Sequence, residues 1–336
     1  MEEALRPPRL GVVVPVHNGE RTLPPVLEAL QSELRPEDQL VVVDDRSADG
    51  SAELARRAGA RVVASGAPGA SAARNSGAET CDTDWLLFAD SDAVPRPGWR
   101  ARLDRRIAQG SDGIQATYAP QAPGSSAATF YKNYYYHYTF TRRIGEGPVP
   151  GCGTFFLAVR RSLFVDLGGF DSRIVRASVE DADFAERLAG AGGVILMAPE
   201  IEVYHLRRYR AGNLLGYEWS MVKAKVHHML RRNTGHGPPS LSLAGPASML
   251  AVASASLGTW PLAASLVLLA LGAGWAVWPA AFSALMVLAL LPFWASMIRA
   301  GGWRGLRACA LSLAVHLVHL PAAAVAAAEH LTGRKY

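Results

Sequence analysis

Residues 10–45 read LGVVVPVHNGERTLPPVLEALQSELRPEDQLVVVDD, and this stretch decides the fold. It begins and ends with two short valine-rich runs, Leu10 to Val16 and Leu40 to Val43, which are typical of parallel strands buried on both faces. Between the runs, apolar residues recur at i, i+3, i+4 and i+7 along one helical face, at Leu23, Val26, Leu27 and Leu30. The stretch therefore predicts a β-α-β unit.

The same alternation continues along the chain. Further elements are predicted in turn over residues 52–58 (helix), 60–64 (strand), 85–88 (strand) and 99–109 (helix). Strands that alternate with helices predict an α/β fold with a mostly parallel sheet and crossover helices. Ligands of such sheets bind beyond the carboxyl ends of the strands. Two pairs of carboxylates follow predicted strands at these ends, Asp44 with Asp45 and Asp90 with Asp92.

The C-terminal part of the chain has a different composition. Half of the 336 residues are hydrophobic, and from Gly237 to Ile298 there is no Asp, Glu, Lys or Arg. Because a bilayer core needs about 20 apolar residues per helix, this charge-free stretch has room for two comfortable spans or three short ones. A further apolar run follows a short basic loop that contains Arg299, Arg304 and Arg307.

The basic loop favours one arrangement of spans. Basic loops remain on the cytoplasmic side of a membrane, and two spans before this loop return it to the side of the N-terminal part. We therefore predict a catalytic domain at residues 1–236 and a membrane domain at 237–336. Three transmembrane helices are expected in the membrane domain, near 247–272, 277–298 and 306–328. This makes the protein a multi-pass protein of the inner (plasma) membrane, with a cytoplasmic catalytic domain and an external C-terminus.

Charge and cysteine content exclude some classes of function. The formal net charge is +5, and most of this excess lies beside the predicted membrane helices, so nothing indicates a nucleic-acid partner. The three cysteines are far apart in sequence and have no zinc or disulfide spacing, which favours a reducing compartment. The first residues have no pattern of a signal peptide. Only four of the 34 basic residues are lysines, which suggests a bacterial source.

Five segments of the N-terminal part appear in an order that resembles the large family 2 of inverting glycosyltransferases with the GT-A fold. They are VVVPVHNGE, VVVDDRSADG, SAARNSGA, WLLFADSDAVP and VEDADFAERL. The resemblance extends from residue 10 to about residue 210. It implies a GT-A domain, Rossmann-like and of the α/β class, that uses a nucleoside-diphosphate sugar, followed here by the transmembrane helices.

The resemblance also implies roles for residues near the sugar donor. Asp44 would help to hold the nucleotide base, with Asp45 beside it, although both also suit turns and helix caps. Asp90 would face the ribose or a metal-bound water. Arg74 and Asn75 would lie beside the nucleotide, and the alternative for Arg74 is to tie down Asp44 or Asp90. Gly153 would line the donor pocket or serve backbone packing alone.

A second group of residues would handle the metal, the leaving diphosphate and the proton. Asp92 would bind Mg²⁺ or Mn²⁺, since carboxylate oxygens suit these cations. His205 would complete the metal site or the donor pocket, or else be packed, and Arg207 would neutralise the leaving diphosphate. Asp181 would be the general base toward the acceptor, with Glu180 as its neighbour; acidic residues also suit a helix N-terminus.

The sequence thus predicts a membrane-anchored, metal-dependent inverting glycosyltransferase. The Q-x-x-R-W motif of processive members is absent, which favours transfer of a single sugar. Tethering to the membrane favours a lipid-linked acceptor over a soluble one. The alternatives are a sugar-1-phosphate nucleotidyltransferase and a non-catalytic membrane protein that binds a nucleotide sugar. The first lacks support because no basic, glycine-rich phosphate loop follows Leu10 to Val16.

Overall fold

The structure is a computed structural model, and it describes residues 7–120, 125–174, 179–231 and 245–332. The chain forms two compact units. Unit 1 contains the chain up to Ala119 together with Phe140–Arg207, and unit 2 contains Pro120–Thr139 together with the chain from Arg208 onward. This division differs from the expected boundary at 236/237, because two segments before that boundary pack with the apolar helices of unit 2.

Unit 1 is an α/β unit. Its strands are β1 (Leu10–Val16), β2 (Gln39–Asp44), β3 (Arg61–Ala64), β4 (Trp85–Ala89), β5 (Ala93–Pro95), β6 (Gly113–Tyr118), β7 (Gly147–Val149), β8 (Phe156–Arg160) and β9 (Ile195–His205). Its helices are α1 (Leu23–Gln31), α2 (Ser51–Arg57), α3 (Ala70–Glu79), α4 (Trp99–Ile107), α6 (Arg161–Asp166) and α7 (Glu180–Gly190), numbered with those of unit 2. The predicted β-α-β beginning is confirmed, and the buried face of α1 consists of the four predicted residues.

The nine strands form one mixed sheet. Its order is β3-β2-β1-β4-β8-β6-β9-β5, and β7 pairs with β9 off this path. Within this sheet β1 is parallel to β2 and to β4, and β2 is parallel to β3, as the sequence predicts. Strand β8 is antiparallel to both β4 and β6, so the second half of the sheet is mixed. Parallel strands end at one edge, and β8 begins at that same edge.

Helix α3 lies close to the sheet because small residues cover its inner face. A Cβ atom added at Gly77 would lie 2.3 Å from Val13 Cγ1 and 2.9 Å from Val43 Cγ2. Both valines are completely buried in β1 and β2. Real Cβ atoms do not approach so closely, and close packing of the interior leaves the valines little room to move. Gly77 therefore sets the distance between α3 and the sheet.

We expect Gly77→Ala to destabilise the protein by about 1–3 kcal/mol, the usual cost of overpacking a core. The measurement is the melting temperature of the purified protein in detergent. Gly190→Ala is the matched control, since no atom lies within 4 Å of a Cβ added there and the residue is exposed. Equal melting temperatures for Gly77→Ala and wild type would contradict the close contact.

Unit 2 is helical. Its helices are α5 (Ala127–Tyr138), α8 (Ala211–Arg231), α9 (Gly245–Ala270), α10 (Val277–Val287), α11 (Leu291–Gly301) and α12 (Trp303–Leu331). Three helical stretches are long and apolar enough to cross a membrane, at Val252–Ala270, Gly274–Gly301 and Trp303–Leu331. The second stretch combines α10 and α11. These three candidate spans agree with the three predicted helices. The first lies within the charge-free stretch, and the second overlaps its end.

The aromatic helix α5 packs inside unit 2. Phe130, Tyr131 and Tyr134 are buried in one cluster with Phe293 and Met297 of α11. The Tyr134 hydroxyl is hydrogen-bonded to Ser296 Oγ at 2.6 Å. The Lys132 ammonium, also on α5, donates to Glu218 Oε1 of α8 at 2.6 Å. These contacts explain why residues 120–139 belong with the apolar helices although they are far from them in sequence.

Candidate functional site: the carboxyl edge of the sheet

The candidate site lies where β1, β2 and β4 end. Residues Val16 and Asp44 are partners in the register of β1 and β2, so the loops after the two strands begin side by side. These loops are hydrogen-bonded to each other: the Asn18 N–H donates to Ser47 Oγ at 3.1 Å, and the Ala48 N–H donates to Asn18 Oδ1 at 2.7 Å. The edge is therefore a connected surface of loops.

Asp44 and Asp45 are half-buried and hold turns at this edge. Asp44 Oδ1 accepts a hydrogen bond from the Ser47 N–H at 3.0 Å. Asp45 Oδ2 accepts one from the Gly69 N–H at 2.8 Å, at the start of α3, and Asp45 Oδ1 pairs with Arg46 at 3.1 Å. The turn-forming role that the sequence allows for both residues is present. Both carboxylates also stay at the edge where a nucleotide would bind.

Asp92 and His205 face each other across β5 and β9. The register pairs Ala93 with His205, which brings His205 Nε2 to 3.5 Å from Asp92 Oδ2. The His205 ring is buried and stacks on Tyr118, with ring centroids 4.8 Å apart, and Tyr118 stacks on Phe155 at 3.9 Å. The stack fixes the plane of the imidazole, so its Nε2 atom is held toward the carboxylate.

The charges around Asp92 keep its carboxyl ionised. Burial opposes ionisation, but the hydrogen bond and charge of His205, together with the charge of Arg207, outweigh burial and hold the pKa of Asp92 below its ordinary value. Arg207 itself is exposed at the end of β9. A carboxylate beside an imidazole is a donor set that suits a divalent cation such as Mn²⁺, which would take the place of the proton that His205 shares with Asp92. The two predicted metal ligands are thus brought together.

The side chains of the described residues do not by themselves complete a metal site. Across residues 7–120, 125–174, 179–231 and 245–332, no group of three or more His, Cys, Asp or Glu side chains is placed to hold an ion. Asp92 and His205 therefore fit a cation that takes its other ligands from a diphosphate or from water, as is usual for Mg²⁺ bound to nucleotides.

Arg74 lies at the centre of the site. Its Nη2 donates to Asp90 Oδ1 at 2.8 Å and its Nη1 donates to Glu180 Oε1 at 3.1 Å. The side chains of Arg74 and Glu180 are each 4% exposed, and that of Asp90 is 32% exposed. Burial works against the charge of Arg74, but the two carboxylates outweigh it and raise the pKa of the guanidinium. The predicted tie between Arg74 and Asp90 is present.

The pKa of Asp90 is shifted in the opposite direction from the pKa of Asp92. Burial and the neighbouring charge of Asp92 raise the pKa of the Asp90 carboxyl above its ordinary value, although Arg74 opposes this shift. The backbone N–H of Asp90 donates to Phe155 O at 3.0 Å, just before β8. The carboxyl end of β4 is thereby joined to the segment that precedes β8.

Asn75 holds the chain near Phe170. Its Nδ2 donates to Phe170 O at 2.8 Å, and its Oδ1 accepts from the Phe170 N–H at 2.9 Å. The Phe170 ring contacts Phe88 of β4 and Phe184 of α7, at centroid distances of 5.1 and 5.0 Å. Asn75 thus positions an aromatic cluster between β4 and α7, and its amide is hydrogen-bonded to the main chain.

Glu180 and Asp181 begin helix α7, as predicted. Asp181 Oδ1 accepts a hydrogen bond from the Ala182 N–H at 2.7 Å, and Cys152 Sγ donates to Asp181 O at 3.3 Å. Asp181 Oδ2 lies near Gly153, because a Cβ atom added there would be 3.9 Å from it. The glycine leaves space beside the carboxylate, and the helix dipole favours its ionised form.

Gln115 was not predicted as part of the site. It is fully buried in β6, where its Oε1 accepts a hydrogen bond from the Gly153 N–H at 2.6 Å. Its Nε2 donates to Ala116 O at 2.9 Å. An amide in the middle of the apolar strand sequence GIQATY is the signal that could have indicated it, since a buried amide needs hydrogen-bond partners.

The mixed sheet with carboxylates at the carboxyl ends of its strands places the protein in the α/β class, whose ligands bind at such an edge. Residues 11–168 match the family model described as "Glycosyl transferase family 2". Residues 11–168 are therefore similar to members of this family.

Two curated relatives and one solved structure are similar to the chain. A pre-mycofactocin glycosyltransferase of Mycobacterium tuberculosis is 32% identical over 150 residues, which cover 42% of this chain and 30% of the relative. An undecaprenyl-phosphate 4-deoxy-4-formamido-L-arabinose transferase of Pseudomonas aeruginosa is 40% identical over 113 residues, which cover 31% of this chain and 33% of the relative. The matched region thus spans about a third of either relative.

The solved structure is a mannosyltransferase from Pyrobaculum calidifontis in complex with GDP-Man and Mn²⁺. It aligns with 98% of this chain and 89% of its own, with a TM-score of 0.58 and 17% sequence identity. The similarity confirms the predicted GT-A fold followed by apolar helices.

Proposed function

We propose that the protein is a membrane-anchored, metal-dependent, inverting glycosyltransferase that moves one sugar from a nucleoside diphosphate to a lipid-linked acceptor. The observation that carries the proposal is the meeting of the D-x-D carboxylates with the start of α7. Asp90 and Glu180 both bind the guanidinium of Arg74, so the metal-binding and base-bearing segments are neighbours. Transfer needs these two functions side by side.

The donor binds along the loops after β1, β2 and β4 in this proposal. Asp44 and Asp45 receive the nucleoside, Asp90 faces the ribose, and Gly153 lets the sugar approach the backbone. Asp92 and His205 would hold Mn²⁺ or Mg²⁺, and the bound cation would neutralise charge on the departing diphosphate. Arg207 adds a positive charge near the same carboxylate, in keeping with its effect on Asp92.

Asp181 acts as the general base. It takes the proton of the acceptor hydroxyl as that oxygen forms a bond to the anomeric carbon. The bond from this carbon to the nucleoside diphosphate breaks on the opposite face, so the configuration inverts. Positioned proton transfer of this kind contributes about 10²–10⁴-fold to a rate. Glu180, bonded to Arg74, fixes the first turn of the helix that carries the base.

Two features support a lipid-linked acceptor. Three helical stretches have the length and composition of membrane spans, which keeps the catalytic unit at a bilayer surface. The similar enzyme of Pseudomonas aeruginosa carries undecaprenyl phosphate in its name. A polyprenyl-linked sugar, a glycolipid or another amphiphile that offers a hydroxyl group is therefore the class of acceptor that we propose.

A donor screen followed by product analysis tests the function. The full-length protein is purified in detergent, and its melting temperature is measured with a panel of nucleoside-diphosphate sugars in the presence of Mn²⁺ or Mg²⁺. Membranes that contain the protein then receive the stabilising donor with a radiolabelled sugar, and lipids are extracted. Label in the lipid fraction is the expected result. Release of free diphosphate from a nucleoside triphosphate and a sugar 1-phosphate would instead identify a nucleotidyltransferase, and binding without turnover a non-catalytic binder.

The proposed topology has its own test. Catalysis from cytoplasmic nucleotide sugars requires the catalytic unit inside the cell, and three spans then place the C-terminus outside. Arg304 lies in α12, so the predicted basic loop is reduced to the turn at Gly302 between α11 and α12. Reporter fusions after Tyr336 and at this turn are expected to lie on opposite sides of the membrane. Finding both reporters on the same side would contradict the three-span arrangement.

A further inference from the structure

Arg74 is the meeting point of two segments that have separate tasks. One guanidinium nitrogen binds Asp90, two residues before the proposed metal ligand, and another binds Glu180, directly before the proposed base. Asp90 and Glu180 come from different elements, the end of β4 and the start of α7. A planar guanidinium can hold two carboxylates at once in a fixed geometry.

The surroundings keep Arg74 in place. Its helix lies against the sheet through the close contact at Gly77, and the next residue, Asn75, is clamped to the main chain of Phe170. The guanidinium carbon lies 5.8 Å from the centroid of the Phe170 ring. Arg74 therefore has little freedom to follow one carboxylate and leave the other.

Arg74, Asp90 and Glu180 together have more negative than positive charge. One guanidinium faces two carboxylates, and Glu180 has almost no access to water. Buried charges are costly unless they are paired, so a change at either carboxylate alters how strongly Arg74 is drawn to the other. Because Arg74 keeps its place, loss of the charge on Glu180 leaves more of the positive charge of the guanidinium to offset the negative charge near Asp92. A weaker pull on Glu180 leaves the start of α7 less firmly held.

We propose that Arg74 is a positioning residue that couples the metal- and donor-binding segment at Asp90 to Asp92 with the base-bearing start of α7. The inference rests on the proposed function, because it assigns the two segments their tasks. Cation binding near Asp92 and the placement of Asp181 then depend on each other through this guanidinium. A purely structural ion pair would stabilise the fold without such dependence.

The test measures Mn²⁺ affinity after a change on the base side of Arg74. In Glu180→Gln the side chain keeps its shape and its acceptor oxygen but loses its charge, so more of the positive charge of Arg74 acts on Asp90. We expect the dissociation constant of Mn²⁺, measured by calorimetry without any donor, to rise about three- to tenfold, the usual size of coupling between sites. The matched control is Asp183→Asn. It removes a charge from the same helical turn, but Asp183 pairs with Arg187 at 2.8 Å and makes no described contact with Arg74.

A third variant isolates the guanidinium. In Arg74→Lys the ammonium can reach one carboxylate only, and adding Glu180→Gln to this variant is expected to change the Mn²⁺ dissociation constant by less than twofold. The coupling is overturned if Glu180→Gln alone leaves Mn²⁺ affinity within twofold of wild type, or if Asp183→Asn weakens binding equally. The first two variants decide the matter even if Arg74→Lys fails to fold.

Failure of the proposed function would look different. A folded wild-type protein that binds no Mn²⁺ would contradict the metal site at Asp92 and His205. The melting temperatures of Asp90→Asn, Glu180→Gln and the double variant then test whether Asp90 and Glu180 are coupled through Arg74. Additive changes would overturn the connection, because two residues that share no partner behave independently. Non-additive changes would keep the connection and leave only the metal assignment wrong.

Discussion

Asp181→Asn is expected to lower the rate of sugar transfer by about 10²–10⁴-fold while donor affinity stays within a few-fold of wild type. A general base acts on the acceptor and makes no contact with the nucleotide. Asparagine keeps the size of the side chain and an oxygen for the Ala182 N–H, but it cannot take up a proton at neutral pH. The measurement is transfer under saturating donor and acceptor, beside a melting curve.

Two comparisons make this result specific. If Asp181 served only as a helix-start residue, asparagine would cost about 1 kcal/mol of stability or less and turnover would be retained. Asp183→Asn, on the same turn, removes a carboxylate that pairs with Arg187 and is expected to keep turnover within a few-fold. A folded Asp181→Asn protein with near-normal turnover would exclude Asp181 as the base.

Asp92→Ala is expected to abolish the part of donor binding that depends on Mn²⁺. Asp92 is held ionised beside His205, and removing it takes away the carboxylate that we propose as the metal ligand. The donor dissociation constant in Mn²⁺ should rise by more than about 100-fold, since changes around a metal ligand alone cost 10–100-fold. Calorimetry with and without Mn²⁺ measures the difference.

The control for this variant lies at the other end of the same strand. Asp84 precedes β4, its side chain is 52% exposed, and its pair with Arg9 is 3.6 Å long. Asp84→Ala should leave the Mn²⁺-dependent binding unchanged because the residue lies at the amino end of the strand. If Asp92→Ala binds Mn²⁺ and donor as tightly as this control, the D-x-D assignment is wrong.

Local patterns predicted the first half of unit 1 well. The strand at Leu10–Val16 has the predicted bounds, and the β-α-β order follows from apolar periodicity that each segment carries by itself. The placement of carboxylates at strand ends also follows, because parallel strands end at the same edge of a sheet. The helix start at Glu180 was likewise predicted from its acidic first turn and its apolar face.

Contacts between distant residues could not be predicted in this way. Arg74 and Glu180 are 106 positions apart in sequence. Asn75 and Phe170 are 95 positions apart, and no local sequence pattern indicates the hydrogen bonds between them. The antiparallel course of β8 is set by its neighbours in the sheet and not by its own apolar pattern. The membership of residues 120–139 in unit 2 depends on packing against α11, which appears only once the chain is folded.

The reversal of direction between β4 and β8 affects how such a site can diversify. Because β8 runs antiparallel to β4, the segment before it reaches the edge where β4 ends, and Phe155 meets Asp90 there. The edge is thus supplied by loops that follow parallel strands and by a separate segment that precedes an antiparallel one. Substitutions in the segment before β8, outside Gly153 and Phe155, leave the register of β1, β2 and β4 intact, because the pairing of these parallel strands alone sets it. In the function that we propose, this edge can therefore be altered from one side, by evolution or by segment exchange, while the parallel strands and their loops stay the same.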